Sequence, residues 1–533
     1  IKKDKKTLGY GVSQLSGTEL TQAHTTNISN ALASKIPGVR IAGAGGSFTG
    51  SSILIRGFTT FTGSNQPLFV VDGIPIDNSG GGFAVQTGVP RSNRGIDLNQ
   101  DDIESISVLK GASAAVLYGS RASNGVILIT MKKGKTGQKN SIQYSTTYQL
   151  ESVNRFPSYQ NQYSQGTGGV FSANSESSWG APITGQTVTT AYNPATNIND
   201  RTEVLQAYPN NVRDIFRQGM NWQNNIAFTG GGDKTTFRFS YGYLKNKGVL
   251  ENNELVRHNF SLNASSKINN YLTVSASGNY SNNASRRTQQ GNQLSNPLFR
   301  GWFIPRTYNL SGLPWADAEG NERYLNPNTI AASDNPYWAI KNVRYRDEIN
   351  RFIGNVSFNF RLTKWLQADY KVGADVYSVF QHAYDQIGAR GQGNTVANGA
   401  GGIRETRNNY RSLNSNGFIT ASKKIKSWSG TFIGGTEFQQ IYSNSTSMDG
   451  KGIIVRDFEQ LSNTTTFSPA PSFGSSKVRL LGLYGDLSIS YKSIFSASVT
   501  LRNDWSSTFK PNVNSYLYNG LTGSLNITEL FTK

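Results

Sequence analysis

Residues Asn225–Tyr243 read NIAFTGGGDKTTFRFSYGY. Phe237, Phe239, Tyr241 and Tyr243 fall at every second position. Successive side chains of a strand point to opposite sides of the pleat, so this spacing gathers four rings on one face of an extended segment. Just before them GGGDK, Gly230 to Lys234, leaves room only for a tight reversal. The stretch therefore predicts a hairpin with an aromatic face.

The same pattern recurs outward from this point. Ile142, Tyr144, Thr146, Tyr148 and Leu150 share one face, and so do Phe352, Gly354, Val356, Phe358 and Phe360. About twelve such segments of about ten residues follow one another up to Phe531. Their connections alternate in length. Short turns fall at Gly230–Lys234, Ser266–Asn270, Arg361–Lys364, Lys424–Ser427 and Lys492–Ile494. Longer excursions fall at Glu151–Gly219, Asn283–Asn350, Gln381–Asn409 and Ser443–Lys477. Short turns at one end and long loops at the other are the pattern of an outer-membrane β-barrel, and a soluble sandwich has no reason to segregate them. Phe228, Tyr271, Phe360, Trp365, Trp428, Tyr491 and Phe495 sit beside the short turns, where amphipathic rings would form an interfacial girdle.

Composition agrees. Charged residues are only 16% of the 533, aromatics reach 11%, and 56 glycines supply turns, which suits many strands rather than a disordered chain. Mean hydropathy is −0.45 and no apolar run reaches helix-spanning length. That leaves a barrel open, because its strands show lipid only every second residue. With no cysteine, a disulfide or thiolate metal site is excluded. The net charge of +19 is scattered through turns and strands, so nucleic acid is not expected as a partner. The chain opens on IKKDKK without a signal peptide, and is read as a mature or trimmed sequence.

The texture changes at MKKGKTGQ, Met131 to Gln138. Ahead of it lies a small α+β region. Ile28, Leu32 and Ile36 share a helical face over Asn27–Ile36, which Pro37 and Gly38 stop. Strands are predicted at Ser52–Ile55, Leu68–Val71, Ser105–Leu109 and Val126–Met131, a short helix is predicted to start at Asp101 and Asp102, and Ser113 can cap a turn closed by Gly119.

This region resembles the plug domain of TonB-dependent transporters of the SusC/RagA branch. The resemblance rests on ILIRG at Ile53–Gly57, PLFVVDGIPIDN at Pro67–Asn78 and IESISVLKGASAAVLYGSRASNGVILITMKKG at Ile103–Gly134. Asn225–Tyr243 and LRNDWSSTF at Leu501–Phe509 look like barrel segments of the same family. It implies a plug over residues 1–135 and, over 136–533, the first strands of a transmembrane antiparallel β-barrel of the 22-stranded type. About ten further strands are expected downstream, and a signal peptide, a small carboxypeptidase-regulatory-like domain and a TonB box upstream. The plug-motif residues are Arg56, Gly57, Asp72, Gly73, Glu104, Lys110, Gly111, Tyr118, Gly119, Arg121, Asn124 and Gly125. The glycines suit sharp turns. Arg56, Glu104, Lys110 and Arg121 are read either as paired with one another or with the wall, or as solvated in the lumen.

The resemblance implies import of oligosaccharides or peptides across the outer membrane, driven by the TonB-ExbB-ExbD complex, with a SusD-like surface lipoprotein as lid and membrane lipid around the barrel. The alternative is a SusC-like structural subunit of a larger outer-membrane assembly or secretion complex. No catalytic residues, cofactor or metal are expected. DLNQDD at Asp97–Asp102 lacks the glycine and terminal glutamate of a calcium loop and reads as helix capping. GAGGSF at Gly43–Phe48 lacks the third glycine of a dinucleotide loop. His24, His258 and His382 lie far apart without zinc spacing. Trp302, Phe303, Trp315 and Trp338 in the long loops could stack on sugars, and read more simply as loop cores.

Overall fold

The computed structural model describes residues 11–22, 25–33, 35–43, 50–61, 63–80, 92–110, 118–190, 201–289, 294–323, 334–391, 399–467, 471–492, 494–510 and 514–527. The first part comprises β1 (Val12–Ser16), α1 (Gly17–Thr21), α2 (Ile28–Ala31), β2 (Val39–Gly43), β3 (Ser51–Ile55), β4 (Leu68–Val71), β5 (Ile74–Ile76), β6 (Ile103–Leu109) and β7 (Val126–Met131). Five strands form one sheet in the order β1-β6-β7-β4-β5, parallel only between β4 and β7, while β2 and β3 pair separately. Edge strand β1 runs antiparallel to β6 from Val12↔Leu109 to Ser16↔Ser105. The apolar runs ILI, VV and IPI are buried on both faces, as a covered sheet requires.

The helix expected over Asn27–Ile36 is shorter. Asn27 caps it through Ser29 N, but α2 ends at Ala31 and successive turns carry the chain on to Gly38, whose φ is +75°. Leu32 and Ile36 are buried all the same. Apolar spacing specified which side chains reach the core, and nested turns satisfied it as well as a helix. Likewise Gln100–Asp102 is one 3₁₀ turn capped by Asn99.

The rest of the chain is a wall. It runs through β8 (Ser141–Glu151) and, after the short pairs β9 (Gly166–Thr167) with β10 (Val170–Phe171) and β11 (Thr187–Thr190) with β12 (Arg201–Val204), through β13 (Gly219–Gly231), β14 (Thr235–Lys247), β15 (Glu254–Lys267) and β16 (Leu272–Arg287). It continues with β17 (Val343–Arg361), β18 (Leu366–Asp385), β19 (Gly402–Ile425), β20 (Trp428–Ile453), the side strand β21 (Thr464–Phe467), β22 (Ser472–Tyr491), β23 (Phe495–Ser506) and β24 (Ser515–Leu525). From β8 to β24 the strands pair antiparallel with their neighbours in one 13-stranded sheet, with β21 off the main path on β20.

Outward side chains are the aromatic and aliphatic ones. Ile142, Tyr144, Tyr148, Phe239, Phe352, Val356, Leu483 and Leu521 are exposed, whereas inward Asn225, Ser240, Asn259, Asn283 and Asn414 are buried. This inversion of the soluble pattern is what a wall with lipid outside and a polar interior demands. Tyr271, Trp365, Trp428 and Phe495 are exposed at the short-turn end, and Trp428 lies 4.8 Å from Tyr491. No described helix is long and apolar enough to cross a membrane.

The strands outgrow the expected ten residues. β17 to β20 have 19, 20, 24 and 26, where about 9–11 suffice to cross. Apolar alternation stops where the outward face of β17 becomes Asn350, Glu348 and Arg346, but backbone pairing continues to Val343. The surplus lies at the long-loop end. There α3 (Pro297–Trp302) and α4 (Pro336–Asn342), each begun by an Asn cap followed by Pro, cover a loop core of Ile215, Leu250, Ile304, Tyr308, Leu310 and Ile340.

Candidate functional site

The β1–β7 unit is tied to the inner face of the wall by buried charges. Arg351 on β17 is the centre of the first tie. It grips Asp375 on β18 in bidentate fashion, Nε to Oδ1 and Nη2 to Oδ2, both at 2.8 Å. The same guanidinium reaches into the unit, donating to Asp97 Oδ2 and Arg94 O at 3.0 Å and to Asp77 O at 2.7 Å. Asp375 in turn accepts from Asp77 N at 2.8 Å, and Asn283 donates to Asp97 at 2.6 Å. Arg351, Asp97 and Asp375 are almost fully buried. Ions in such a place are stable only when each lone pair and proton is met, and here the fork geometry meets them.

A second tie joins Asp102 to Arg238 at 2.7 Å and to the Ser240 hydroxyl at 2.6 Å, both on β14. Next to it Arg257 on β15 donates to Thr26 O and Ile96 O. The third tie links Arg121 to Glu437 on β20 at 2.8 Å, with Gln439 beside it. Glu437 also binds Arg502 on β23 at 2.9 Å, and Arg502 binds Asp504 at 2.7 Å.

The expected motif residues divide unequally among these contacts. Of the four charges, Arg121 pairs with the wall. Lys110 donates to Pro37 O at 2.6 Å, and Arg56 and Glu104 are exposed with no ion pair among the described residues. Asp72 and Gly73, with φ of 46° and 87°, form the reversal between β4 and β5, a conformation that Asp-Gly accepts readily. Lys371 on β18 donates to Asp72 O at 2.6 Å. Asn124 bridges to Ser64 O at 2.6 Å and accepts from the Thr59 hydroxyl. Tyr118 packs beside Leu109 and Val126. Gly119 presses on the third tie: a Cβ there would lie 2.3 Å from Asp504 Oδ2. At Gly125 a Cβ would meet Ile55 and the Leu109 carbonyl. Gly57 has φ +104° and open space around it. Gly111, Ser113, His24 and most of Gly43–Phe48 lie outside the described residues.

Asp97 and Asp102, read from sequence as capping groups, are instead the partners of wall arginines. Asn99 alone caps the turn. The described residues hold no cluster of three or more metal-ligating side chains. In the loops Trp338 is fully buried, while Phe303 is exposed.

Beside the first tie lies a cavity of about 480 Å³. Its lining includes Ser79 and Arg94 of the inner unit, and Tyr377, Gln381, Asn408 and Tyr410 of the wall. Tyr377 and Tyr410 stack with centroids 4.8 Å apart and an angle of 13°. The Tyr377 hydroxyl donates to Asp77 Oδ2 at 2.8 Å, and Arg351 lies over its ring at 5.4 Å. The tyrosine platform is thus held by the same residues that anchor the unit. In the loops beyond, Asp334 accepts from Ser295 Oγ and from Arg390 N at 3.1 Å, and Glu322 faces Arg390 at 3.6 Å. Burial pushes the Asp334 carboxyl up to about 7 and raises Glu322 well above its ordinary range, with Asp334 the next cause.

Residues 4–126 match the TonB-dependent Receptor Plug Domain family. The chain is 28% identical over 377 residues to the TonB-dependent receptor SusC of Bacteroides thetaiotaomicron, covering 66% of this chain and 34% of that protein. It is 24% identical over 531 residues to the TonB-dependent receptor P39 of Formosa agariphila, covering 95% and 45%. The chain spans less than half the length of these curated relatives. The RagAB peptide importer in its open-open state superposes with a TM-score of 0.75 at 21% identity, over 99% of this chain and 58% of that one. The unliganded ferric citrate transporter FecA gives 0.53 at 12%, over 97% and 60%. The fold is that of an outer-membrane receptor barrel with an inner plug, as the alternation and loop asymmetry predicted.

Proposed function

Because the chain belongs to the SusC/RagA-type TonB-dependent outer-membrane receptors, we propose that the whole protein imports oligosaccharides or peptides, drawing energy from TonB-ExbB-ExbD, with a SusD-like surface lipoprotein as its lid. The observation that carries this reading is the cavity beside the first tie. Stacked rings offer an apolar face, and Gln381, Asn408 and Arg94 offer donors and acceptors around it. Sugar C–H faces and peptide groups both suit such a surface.

In this reading residues 1–135 are the plug and 136–533 are barrel wall, closed by further strands between β24 and β8. An open sheet edge leaves backbone groups unpaired in hydrocarbon at several kcal/mol each, so closure is required. The plug-motif residues serve the plug's own turns and the tie through Arg121. The outcome of pulling on the plug is then governed by Arg351, Arg238 and Arg121: while their partners stay in place the lumen is blocked, and displacement of Asp97 and Asp77 frees Tyr377 and opens the cavity downward.

The test is recovery of the native complex in mild detergent, with mass spectrometry of everything in it. A SusD-like lipoprotein together with an oligosaccharide or peptide is the expected result, with the bound ligand lost in Tyr377→Ala/Tyr410→Ala. Reproducible recovery of assembly-factor subunits without any ligand would refute import and point to a structural subunit.

A further inference from the structure

On the lipid side of the wall a cavity of about 500 Å³ opens over Val376 of β18. Val376 lies in register with Phe352 on β17 and Arg411 on β19. Both neighbours lean away from it. The Phe352 ring folds down over Gly354, where a Cβ would lie 2.6 Å from its Cζ. The Arg411 guanidinium lies over the Tyr442 ring of β20, 5.8 Å from the centroid. Between them is left a gap with a short aliphatic floor and a cationic side.

The strands around this gap all change character at the same point. Toward the long loops, outward Tyr280, Phe352 and Val376 give way at the next outward position to Asn282, Asn350 and Ser378, and Leu413 gives way to Arg411. From Phe352 to Arg361 at the short-turn end is nine residues of β17. That is about 30 Å of strand, or about 23 Å of height at a tilt of about 40°, which matches an apolar band of about 25 Å. The gap therefore stands at the outer edge of the band, where acyl chains meet headgroups.

The polar groups that face it are donors. Asn350 Oδ1 already accepts from the Tyr280 hydroxyl at 2.8 Å and from Asn282 Nδ2 at 2.9 Å, so its own amide NH₂ is what it has left to offer. Asn444 Oδ1 likewise accepts from Asn409 Nδ2 at 3.0 Å. Arg411 forms no ion pair among the described residues, and Lys477 stands in register on the far side of Tyr442. No carboxylate lines the gap among the described residues. Glu348, at the next outward position beyond Asn350, lies four residues along and two strands across from the Arg411 row, roughly 16 Å away. A guanidinium and two amide NH₂ groups with no acid between them receive an anion, and arginine suits the oxygens of a phosphate.

Toward the short turns a second cavity, of about 550 Å³, shares Tyr280 and Phe352 with the first. In one register row across its floor, Gly278, Gly354 and Ala374 lie between Leu262 and Leu413. Small residues between leucines leave a furrow down which a hydrocarbon chain can run from the gap above. We propose that the two cavities together hold one phosphorylated lipid of the outer leaflet, its phosphate on Arg411 with the Asn350 and Asn444 amides and an acyl chain in the furrow. This site depends on the outer-membrane location of the wall and not on what the protein transports.

Full-length protein, delipidated in a nonionic detergent and phosphate-free buffer, would be titrated with dioctanoyl phosphatidic acid and followed by native mass spectrometry. Two further probes divide the ligand: glycerol 3-phosphate carries the phosphate without the chains, and dioctanoylglycerol the chains without the phosphate. One saturable phosphatidate adduct is expected, with both partial probes about tenfold weaker or more and a similar loss of phosphatidate affinity in Arg411→Gln. Ser378→Lys adds a second cation at an exposed position beside the gap and is expected to tighten phosphatidate binding, a gain that misfolding cannot imitate. Heat-modifiable gel mobility identifies correctly folded barrels among the variants. Absence of a saturable phosphatidate adduct, or equal affinity in folded Arg411→Gln, would overturn the site. Glycerol 3-phosphate binding as tightly as the phosphatidate would overturn the lipid assignment and leave a soluble phosphate as the ligand, and dioctanoylglycerol binding as tightly would overturn the role given to Arg411.

Discussion

Arg351→Met removes the centre of the first tie while keeping the length and much of the apolar volume of the side chain. Five hydrogen bonds go with it, and Asp97 and Asp375 remain, both buried to 0% exposure. Removing one partner of a buried ion pair costs about 3–5 kcal/mol, because the other charge stays unpaired in low dielectric. If that cost is confined to docking of the plug on the wall, the equilibrium for local opening shifts by roughly two to three and a half orders of magnitude. Hydrogen exchange of the full-length protein is the assay. Peptides covering 92–110 should lose protection by that factor, while barrel strands far from Arg351, such as β22 and β23, keep theirs. Asp375→Asn in the Arg351→Met background should restore part of the loss, since it removes one of the stranded charges. Protection of 92–110 within tenfold of wild type in Arg351→Met would refute the view that this tie holds the plug.

Other outcomes follow from the same geometry. Gly125→Ala forces a Cβ to 2.8 Å from Ile55 Cδ1 at φ +88°, whereas Gly57→Ala meets open space at φ +104°. Gly57→Ala should therefore cost about 1–2 kcal/mol from backbone strain alone, and Gly125→Ala more, as read by denaturant unfolding of the plug. Glu437→Gln leaves Arg121 and Arg502 facing a neutral amide, and should loosen peptides around 118–126 in hydrogen exchange by roughly tenfold or more. The loop junction at Asp334 and Glu322 should depend on pH. Their folded pKa values are raised, so the folded state holds protons that the unfolded state has released, and stability falls as pH rises from about 4 to about 7 for Asp334. Limited proteolysis within 294–323 should be faster at pH 8 than at pH 5, and Asp334→Asn should flatten the difference.

The barrel face that touches lipid was legible in the sequence because nothing interrupts its chemistry. Phe237, Phe239, Tyr241 and Tyr243 alternate visibly, as do Phe352, Val356 and Phe360. The inner face was not, since it is made of Asn, Ser and isolated charges that look like ordinary solvated residues until another body covers them. Yet a signal was present. Arg238 stands between Phe237 and Phe239, and Arg351 stands beside Phe352; a lone charge at the opposite parity of an aromatic strand has only the lumen to point into. Asp97 and Asp102 were read as capping groups because local sequence offers a turn for them to serve, and their partners lie more than a hundred residues away. The cavity beside Tyr377 and Tyr410 was invisible for the same reason: it is assembled by register between strands, and a single strand carries no record of its neighbour's numbering.

The position of β1 decides how a mechanical load would be taken up. Tension on the chain ahead of Val12 reaches an edge strand with a single partner, held along one short antiparallel seam to β6. A pull across that seam peels its bonds one after another, so each step meets the resistance of only a bond or two, while a pull along it must shear them together. The charged ties sit elsewhere, on Asp97, Asp102 and Arg121, and bear little of the load until the seam has parted. The unit is thus built to fray from its rim first, with its anchors on the wall as the last attachments to yield.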